Sequence, residues 1–274
     1  MNPLSYDFMQ YALLAGTFTA LAAGLVGYFV VLRNDVFTSD ALGHVAFTGG
    51  LGALLVNLQL LLGVFGSTIA VAVGMGSLGG RSRGRDVAIG TVFAWVLGLG
   101  ALFLTLYTSA KSGASGGTAG VSILFGSILG LQATQAAVTA VAGVVTSLAL
   151  LAIARPLMFV SIDPDVAAAR GLPTTAIALI FLVLLGATVA EAVQAVGALL
   201  IFGLMVTPPA IAQRVTSRPF MGMLLSGVLA VGFVWLGLAL AFYLSYPASF
   251  FITALAFGTY VVTLAVGRLR RVTT

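Results

Sequence analysis

Residues 8–32 read FMQYALLAGTFTALAAGLVGYFVVL and contain no Asp, Glu, Lys or Arg. A helix needs about 20 residues to cross the hydrocarbon core of a bilayer, so this stretch is long enough for one crossing. It is apolar on every face, whereas the strands of a transmembrane β-barrel alternate apolar and polar residues. The stretch therefore predicts a membrane-spanning helix and an all-α fold.

The rest of the chain repeats this pattern. Six further runs lack charged residues: 45–80, 87–110, 112–154, 171–190, 192–213 and 219–267. Of the 274 residues only 7% are charged, against about 25% in an average soluble domain. We therefore expect one transmembrane domain over residues 1–274, a polytopic helix bundle with about eight or nine transmembrane helices that lies in a lipid membrane.

The basic residues indicate how the chain is oriented, because Lys and Arg accumulate on the cytoplasmic side of membrane proteins. They stand at the ends of the apolar runs and not on one soluble face, so the net charge of +5 does not indicate nucleic-acid binding. The basic clusters are Arg33; Arg81, Arg83 and Arg85; Arg155 and Arg170; Arg214 and Arg218; and Arg268, Arg270 and Arg271. Placing all five clusters inside predicts an outside N-terminus and about nine crossings, at 9–32, 38–59, 62–79, 87–108, 133–154, 175–193, 196–212, 220–244 and 249–267.

Two stretches interrupt this series of helices. KSGASGGTAG at 111–120 is rich in Gly and Ser, and we expect it to form an external loop. SILFGSILG at 122–130 is too short to span the membrane and includes Gly126 and Gly130, a GxxxG pair of the kind that lets helices pack closely.

Very few ionisable residues lie inside the apolar runs. Asp40 and His44, the only histidine, are four residues apart, so a helix places them on one face. They follow Arg33 by seven and eleven residues, which in a continuous helix corresponds to a depth of roughly 10–16 Å. Glu191, the only glutamate, has Gln194 one turn later. Charged side chains at such depths usually face the bundle interior or a water-filled path.

One imidazole and two carboxylates suit zinc, manganese or iron(II), and they do not suit copper(I), which prefers sulfur. Asp40, His44 and Glu191 are therefore candidate metal ligands. Other interpretations stay open: Asp40 as the cap of a helix that begins at Ala41 with His44 bonded to a carbonyl, a proton relay, or Glu191 as a structural acceptor or loop residue. The chain contains no phosphate-binding GxxxxGK[ST] motif, so ATP hydrolysis would have to reside in another subunit.

A polar segment, PLMFVSIDPDVAAARGLPTT at 156–175, interrupts the inner side of the chain. Asp163 and Pro164 are a helix-start signal, and Gly171 and Pro173 are a helix-stop signal. The segment predicts a short helix between two spans, either a docking surface for a cytoplasmic partner or a plain connector.

Four stretches resemble the membrane permeases of bacterial metal-ion ABC importers, which take up zinc, manganese or iron. They are VVLRNDVFTSDALGHVAFTGG, SILFGSIL, SIDPDVAAARGL and VGALLIFGLMVTPPAIA, and their order and spacing match over nearly the whole chain. The departures are Ser39 where the family usually has Gly, Asp165 where it has Glu, and LSYPASFFI, which resembles a shortened outer loop.

This resemblance implies a multi-pass permease of the plasma (inner) membrane that works as a homodimer with a cytoplasmic ABC ATPase and an external metal-binding protein. Asp40 and His44 match the family's intramembrane ligands, and the match around Glu191 is looser. The residues that resemble the ATPase-coupling loop are Asp163, Pro164, Ala167 and Gly171. No permanently bound cofactor is implied.

The transported ion is expected to be zinc, because zinc prefers nitrogen ligands, with manganese or iron next. Two rival functions remain at this point. One is a proton-coupled secondary transporter or channel that uses Asp40, His44 and Glu191, and the other is an ABC permease for a metal chelate or siderophore.

Overall fold

The computed structural model describes residues 5–77, 85–110, 126, 128–244 and 246–272, and all regular structure in these ranges is helical. The helices are α1 (Asp7–Leu32), α2 (Val36–Leu55), α3 (Leu60–Ser77), α4 (Arg85–Ala110), α5 (Ala133–Ile162), α6 (Pro164–Ala169), α7 (Thr174–Ala195), α8 (Ala198–Val215), α9 (Pro219–Leu244) and α10 (Ala248–Val272), with a 3₁₀ turn at Ile128–Gly130. The predicted all-α bundle is confirmed.

Nine of these helices are long, and each overlaps one of the nine predicted crossings, with ends that differ by up to eight residues, as at the end of α5. Among the described residues, seven helices are long and apolar enough to cross a membrane: α1, α3, α4, α5, α7, α9 and α10. An eighth apolar stretch, Leu200–Val215 in α8, is shorter. The remaining long helix is α2, which carries Asp40 and His44.

Helix α1 lies at the centre of the bundle, where it packs against α5, α7, α8 and α9. Small residues allow this, because a side-chain carbon added to Gly24 would lie 2.8 Å from the backbone of α9 at Ser226. An added carbon on Gly27 would collide with the carbonyl oxygen of Met205 in α8. The Ser226 hydroxyl also donates to the Gly24 carbonyl at 2.7 Å. Close backbone approach and an interhelical hydrogen bond thus hold α1 in place, as is usual inside membranes.

The outer surface of the bundle is apolar. Trp95 on α4 and Phe257 on α10 are each 68% exposed, and Val141 and Leu148 on α5 are also largely exposed. Such surface is unfavourable in water and suits lipid tails, so it agrees with the membrane-embedded architecture.

The Gly/Ser-rich loop predicted at 111–120 lies outside the described residues. Of the following stretch the structure describes Gly126 and residues 128–130. Gly126 has a φ of +73°, and an added side chain there would collide with the carbonyl of Val196, at the junction of α7 and α8. The close approach expected of this glycine is therefore made to a helix junction.

Contacts at one end of the bundle agree with the orientation taken from the basic residues. Gln213 near the end of α8 donates to the Tyr28 carbonyl near the end of α1 at 3.3 Å. Arg33, just after α1, reaches Ser161 near the end of α5. The C-terminal ends of α1, α5 and α8 therefore lie together, as the placement of their basic residues on one side requires.

Candidate functional site

A tight reversal separates α1 from α2. Asn34 has a φ of +58°, and the Asp35 N–H donates to the Val30 carbonyl at 2.9 Å. The depth of roughly 10–16 Å, which assumed a continuous helix from Arg33, therefore does not apply, because α1 ends at Leu32 and α2 begins at Val36. Counted from Val36, Asp40 and His44 lie about 6 and 12 Å along α2.

The position at which α2 begins excludes the interpretation of Asp40 as a helix cap. Asp35, not Asp40, occupies the N-cap position of α2, and the Ser39 N–H donates to the Asp35 carbonyl at 3.0 Å. Asp40 lies in the second turn, where intrahelical partners already satisfy the backbone N–H groups. The proposed cap of a helix beginning at Ala41 is therefore wrong.

Asp40 and His44 lie on the one face of α2 that is not buried. Both are half-buried and Phe37 on the same face is 42% exposed, whereas Ala41–Gly43 and Val45–Thr48 are buried. Within the described ranges no hydrogen bond or ion pair reaches either the Asp40 carboxylate or the His44 imidazole. A carbonyl across the bundle therefore does not hold His44, and both side chains keep their ligand atoms available.

Helix α4 supports this face from one side. The His44 ring packs edge-on against Phe93, with centroids 5.2 Å apart and planes inclined at 68°, and Phe37 contacts the same ring at 5.7 Å. One turn beyond His44, the Thr48 hydroxyl donates to the Val96 carbonyl at 3.0 Å. These contacts fix α2 against α4 and restrict the orientation of the imidazole. The sequence gives no sign of Phe93, because the contact joins residues 49 positions apart.

Glu191 lies elsewhere, in the interior of the protomer. It is part of helix α7, not of a loop, and is only 1% exposed. The Thr146 hydroxyl of α5, which donates to the Ala142 carbonyl at 2.6 Å, lies 3.4 Å from its Oε2, while Oε1 and the neighbouring Gln194 Nε2 have no partner among the described groups. No three His, Cys, Asp or Glu side chains in the described ranges are grouped so that they could hold a metal. Glu191 therefore does not form a three-ligand group with Asp40 and His44 in this structure.

The short helix predicted in the inner polar segment is present as α6. The Val166 N–H donates to the Asp163 carboxylate at 3.0 Å, Pro164 is the first helical residue, and Gly171 with a φ of +80° ends the turn. These are the start and stop signals read from the sequence. Ala167 is buried against the bundle, so one side of α6 is anchored. The other side is exposed at Asp165, Val166, Ala168, Ala169 and Arg170.

Comparisons with known proteins agree with this arrangement. The family model described as the ABC 3 transport family matches residues 5–267. The manganese transport system membrane protein MntC of Halalkalibacterium halodurans is 31% identical over 78% of this chain and 72% of its own length. A probable iron transport system membrane protein of Haemophilus influenzae is 25% identical over 98% of this chain and 97% of its own.

A solved structure extends the likeness to three dimensions. PsaBC from Streptococcus pneumoniae, determined in complex with Fab, superposes with a TM-score of 0.82 at 27% identity, over 95% of this chain and 92% of that one. The likeness of fold therefore extends over nearly the whole length of both chains. The chain belongs to the ABC 3 transport family and is the multi-pass membrane permease of a metal-ion ABC transporter.

Proposed function

We propose that this permease, a single domain over residues 1–274, carries manganese(II), with iron(II) as the next candidate, inward across the bacterial plasma membrane. The choice of manganese is supported by the names of its relatives, of which MntC belongs to a manganese system and another to a probable iron system. The imidazole nitrogen of His44 favoured zinc in the sequence analysis, but the names of the relatives do not support zinc. Imidazole and carboxylate ligands suit manganese(II) and iron(II) equally well in chemical terms.

The observation that carries this proposal is the open face of α2. Asp40 and His44 are half-buried and unpartnered at a depth where a charged side chain in contact with lipid is costly. Some other surface must therefore cover them. We propose that a second copy of the chain does so, and that the ion passes between the two α2 faces with up to four protein ligands.

Two such pairs are a loose site for manganese, which prefers six ligands in octahedral geometry. Incomplete protein coordination leaves water on the ion and keeps the binding weak. Transport requires this, because an ion held in a closed cage would not leave. Glu191 remains outside the proposed ligand set, and its role as a third ligand stays a prediction.

Two partner proteins are proposed, one at each side of the membrane. We propose that a separate cytoplasmic ATPase docks on the exposed side of α6, the segment that includes Asp163, Pro164, Ala167 and Gly171. The burial of Ala167 supports this role, because an anchored helix passes a displacement on to the bundle. An external binding protein would deliver the ion on the opposite side, and ATP hydrolysis would belong entirely to the ATPase.

The test is metal uptake by proteoliposomes that contain the permease with its ATPase and binding protein. We expect Asp40→Asn and His44→Gln to reduce manganese uptake by at least about tenfold, the effect of disturbing a metal site. Asp7→Asn, at an exposed position in the first turn of α1, is the control. Normal uptake by both variants, or uptake of zinc in preference to manganese and iron, would contradict the proposal.

A further inference from the structure

A buried ion pair connects α1 and α2 at the cytoplasmic end of the bundle. Arg33 Nε lies 3.1 Å from Asp35 Oδ2, and the two side chains are only 13% and 6% exposed. Removing two charges from water carries a large desolvation penalty, so a buried ion pair adds little net stability. A buried ion pair can instead fix one geometry of the groups that it joins, and its use as a register or switch element is the best-attested one.

The same guanidinium also reaches two other helices. Its Nη1 lies 3.5 Å from the Ser161 hydroxyl of α5, and its carbon lies 5.2 Å from the centre of the Phe181 ring of α7. The Ser161 hydroxyl donates its hydrogen to the Leu157 carbonyl at 2.6 Å, which leaves its lone pairs to accept from Arg33. We call Arg33, Asp35, Ser161 and Phe181 the Arg33 junction. It brings together the α1–α2 turn, α5 and α7.

The Arg33 junction lies between the two functional segments of the chain. On one side, Ser161 precedes by two residues Asp163, the cap of α6. On the other side, Asp35 is the N-cap of α2 and precedes Asp40 by five residues, or about 7.5 Å along the helix axis. One side chain, Arg33, therefore contacts both the segment that leads into α6 and the residue that begins α2.

Arginine is suited to this position in a way that lysine is not. Its planar group offers several donors in a fixed fork and also stacks on aromatic rings, so one side chain engages a carboxylate, a hydroxyl and a ring together. Lysine has a compact charge on a flexible stem and would keep only the attraction to Asp35. The geometry of the Arg33 junction thus depends on the guanidinium.

We propose that Arg33 is a positioning residue that transmits the ATP-driven displacement of α6 to α2, and so moves the Asp40–His44 face from outward to inward access. This inference rests on the proposed function, in which α6 receives the ATPase and α2 binds the ion. When α6 moves, the end of α5 moves with it, and the guanidinium pulls the N-terminus of α2 along. Without Arg33, α6 responds to nucleotide but α2 does not follow.

Spin-label distances across the dimer test this transmission, and the absence of native cysteines makes single labels possible. A label at Ile162→Cys, next to the start of α6, reports on α6, and a label at Val56→Cys, at the C-terminal end of α2, reports on α2, since both positions are exposed and neither lies on a face proposed to be covered. In the assembled transporter we expect nucleotide to change both the α6–α6 and the α2–α2 distances. In Arg33→Gln we expect the α6 change to remain and the α2 change to be lost.

Manganese uptake per ATP hydrolysed is the matching functional readout. We expect this ratio to fall by about tenfold in Arg33→Gln and less in Ser161→Ala, with partial rescue in Arg33→Lys, a range typical of residues that carry coupling. Arg155→Gln, at an exposed position on α5, is the matched control. Ser161→Ala removes a single acceptor and keeps the test valid if Arg33→Gln does not assemble.

The possible outcomes distinguish a failure of the inference about Arg33 from a failure of the proposed function. The inference is overturned if the α2–α2 distance changes normally in Arg33→Gln, or if it does not change in the wild type while the α6–α6 distance does. It is also overturned if Arg155→Gln lowers the uptake per ATP hydrolysed as much as Arg33→Gln does. A wild type that shows no dimer distances or no metal uptake would instead refute the proposed function. A fall in uptake and ATP hydrolysis together would show a merely structural role for Arg33.

Discussion

The α2 face with Asp40 and His44 and the α5–α7 interface with Glu191 are both sites of ionisable side chains inside apolar helices, yet they differ in every contact. Asp40 and His44 are half-buried and lack hydrogen-bond partners among the described residues. Glu191 is enclosed and bonded to Thr146. Burial inside the protomer marks a group that holds helices together, whereas an open, unpartnered face at membrane depth marks a group that acts on something outside the protomer.

The largest expected difference is in access to water-soluble thiol reagents. In the cysteine-free chain, we expect His44→Cys to react at least about 100-fold faster than Glu191→Cys, because only an accessible, hydrated thiol forms the reactive thiolate. The rates would be measured by mass spectrometry on the assembled transporter in the nucleotide state in which the path is open. Ala46→Cys is the matched control, since it lies on the buried side of the same helix. Equal rates at positions 44 and 191 would remove the distinction between the two regions.

The next difference is in stability. We expect Glu191→Ala to lower the free energy of unfolding by about 1–3 kcal/mol, because it leaves a cavity where the enclosed side chain lay and removes the contact of Oε2 with the Thr146 hydroxyl. Glu191→Gln keeps the shape and an acceptor oxygen and should cost less than about 1 kcal/mol. Asp40→Asn should leave stability within about 0.5 kcal/mol, as its carboxylate holds nothing in the protomer. Unfolding in mixed detergent would measure all three.

Uptake measurements on the same variants complete this comparison. Glu191→Gln should retain manganese uptake, while Asp40→Asn should lose it. If both variants lose uptake and both stay folded, Glu191 is a ligand after all, and the α5–α7 interface must open during transport.

The smallest expected effect concerns the support of His44 by α4. Phe93→Ala removes the edge-on ring contact, which is worth about 0.5–1.5 kcal/mol, so we expect the KM for manganese to rise by about 2- to 10-fold with kcat unchanged. Phe93→Leu retains most of the apolar volume, so its KM for manganese should lie between the values of the wild type and of Phe93→Ala. A fall in kcat with an unchanged KM would show that Phe93 acts on movement and not on the orientation of the imidazole.

Local signals in the sequence predicted much of this molecule. The charge-free runs located the nine long helices, and Asp163, Pro164 and Gly171 located α6, because capping and helix termination depend on neighbouring residues. The spacing of Asp40 and His44 correctly placed them on one face. These features need no knowledge of which helix packs on which.

Features that depend on the turn between two helices or on contacts between distant parts of the chain could not be predicted in this way. Because of the turn at Asn34, Asp40 lies closer to the start of its helix than the depth calculated for a continuous helix. Asp35 occupies the N-cap position that was considered for Asp40. Glu191 was grouped with Asp40 and His44 because all three are ionisable and lie within apolar stretches; the structure places it apart from the α2 face, and its role as a ligand stays a prediction. Whether two such groups meet depends on helix rotation and packing, which small residues such as Gly27 decide and which no local pattern contains.

The central position of α1 also has a consequence for how the protein is made. The hydroxyl that bonds Gly24 belongs to Ser226, 202 residues later, so α1 enters the membrane long before its partner in α9 has been synthesised. Until then the side of α1 that carries Gly24 lacks its partner in α9, although α5, α7 and α8 can already pack on its other sides. We expect chains that end before α9 to insert but to remain loosely assembled, and membrane proteases to remove them. The first helix of the protein is therefore among the last to reach its final environment.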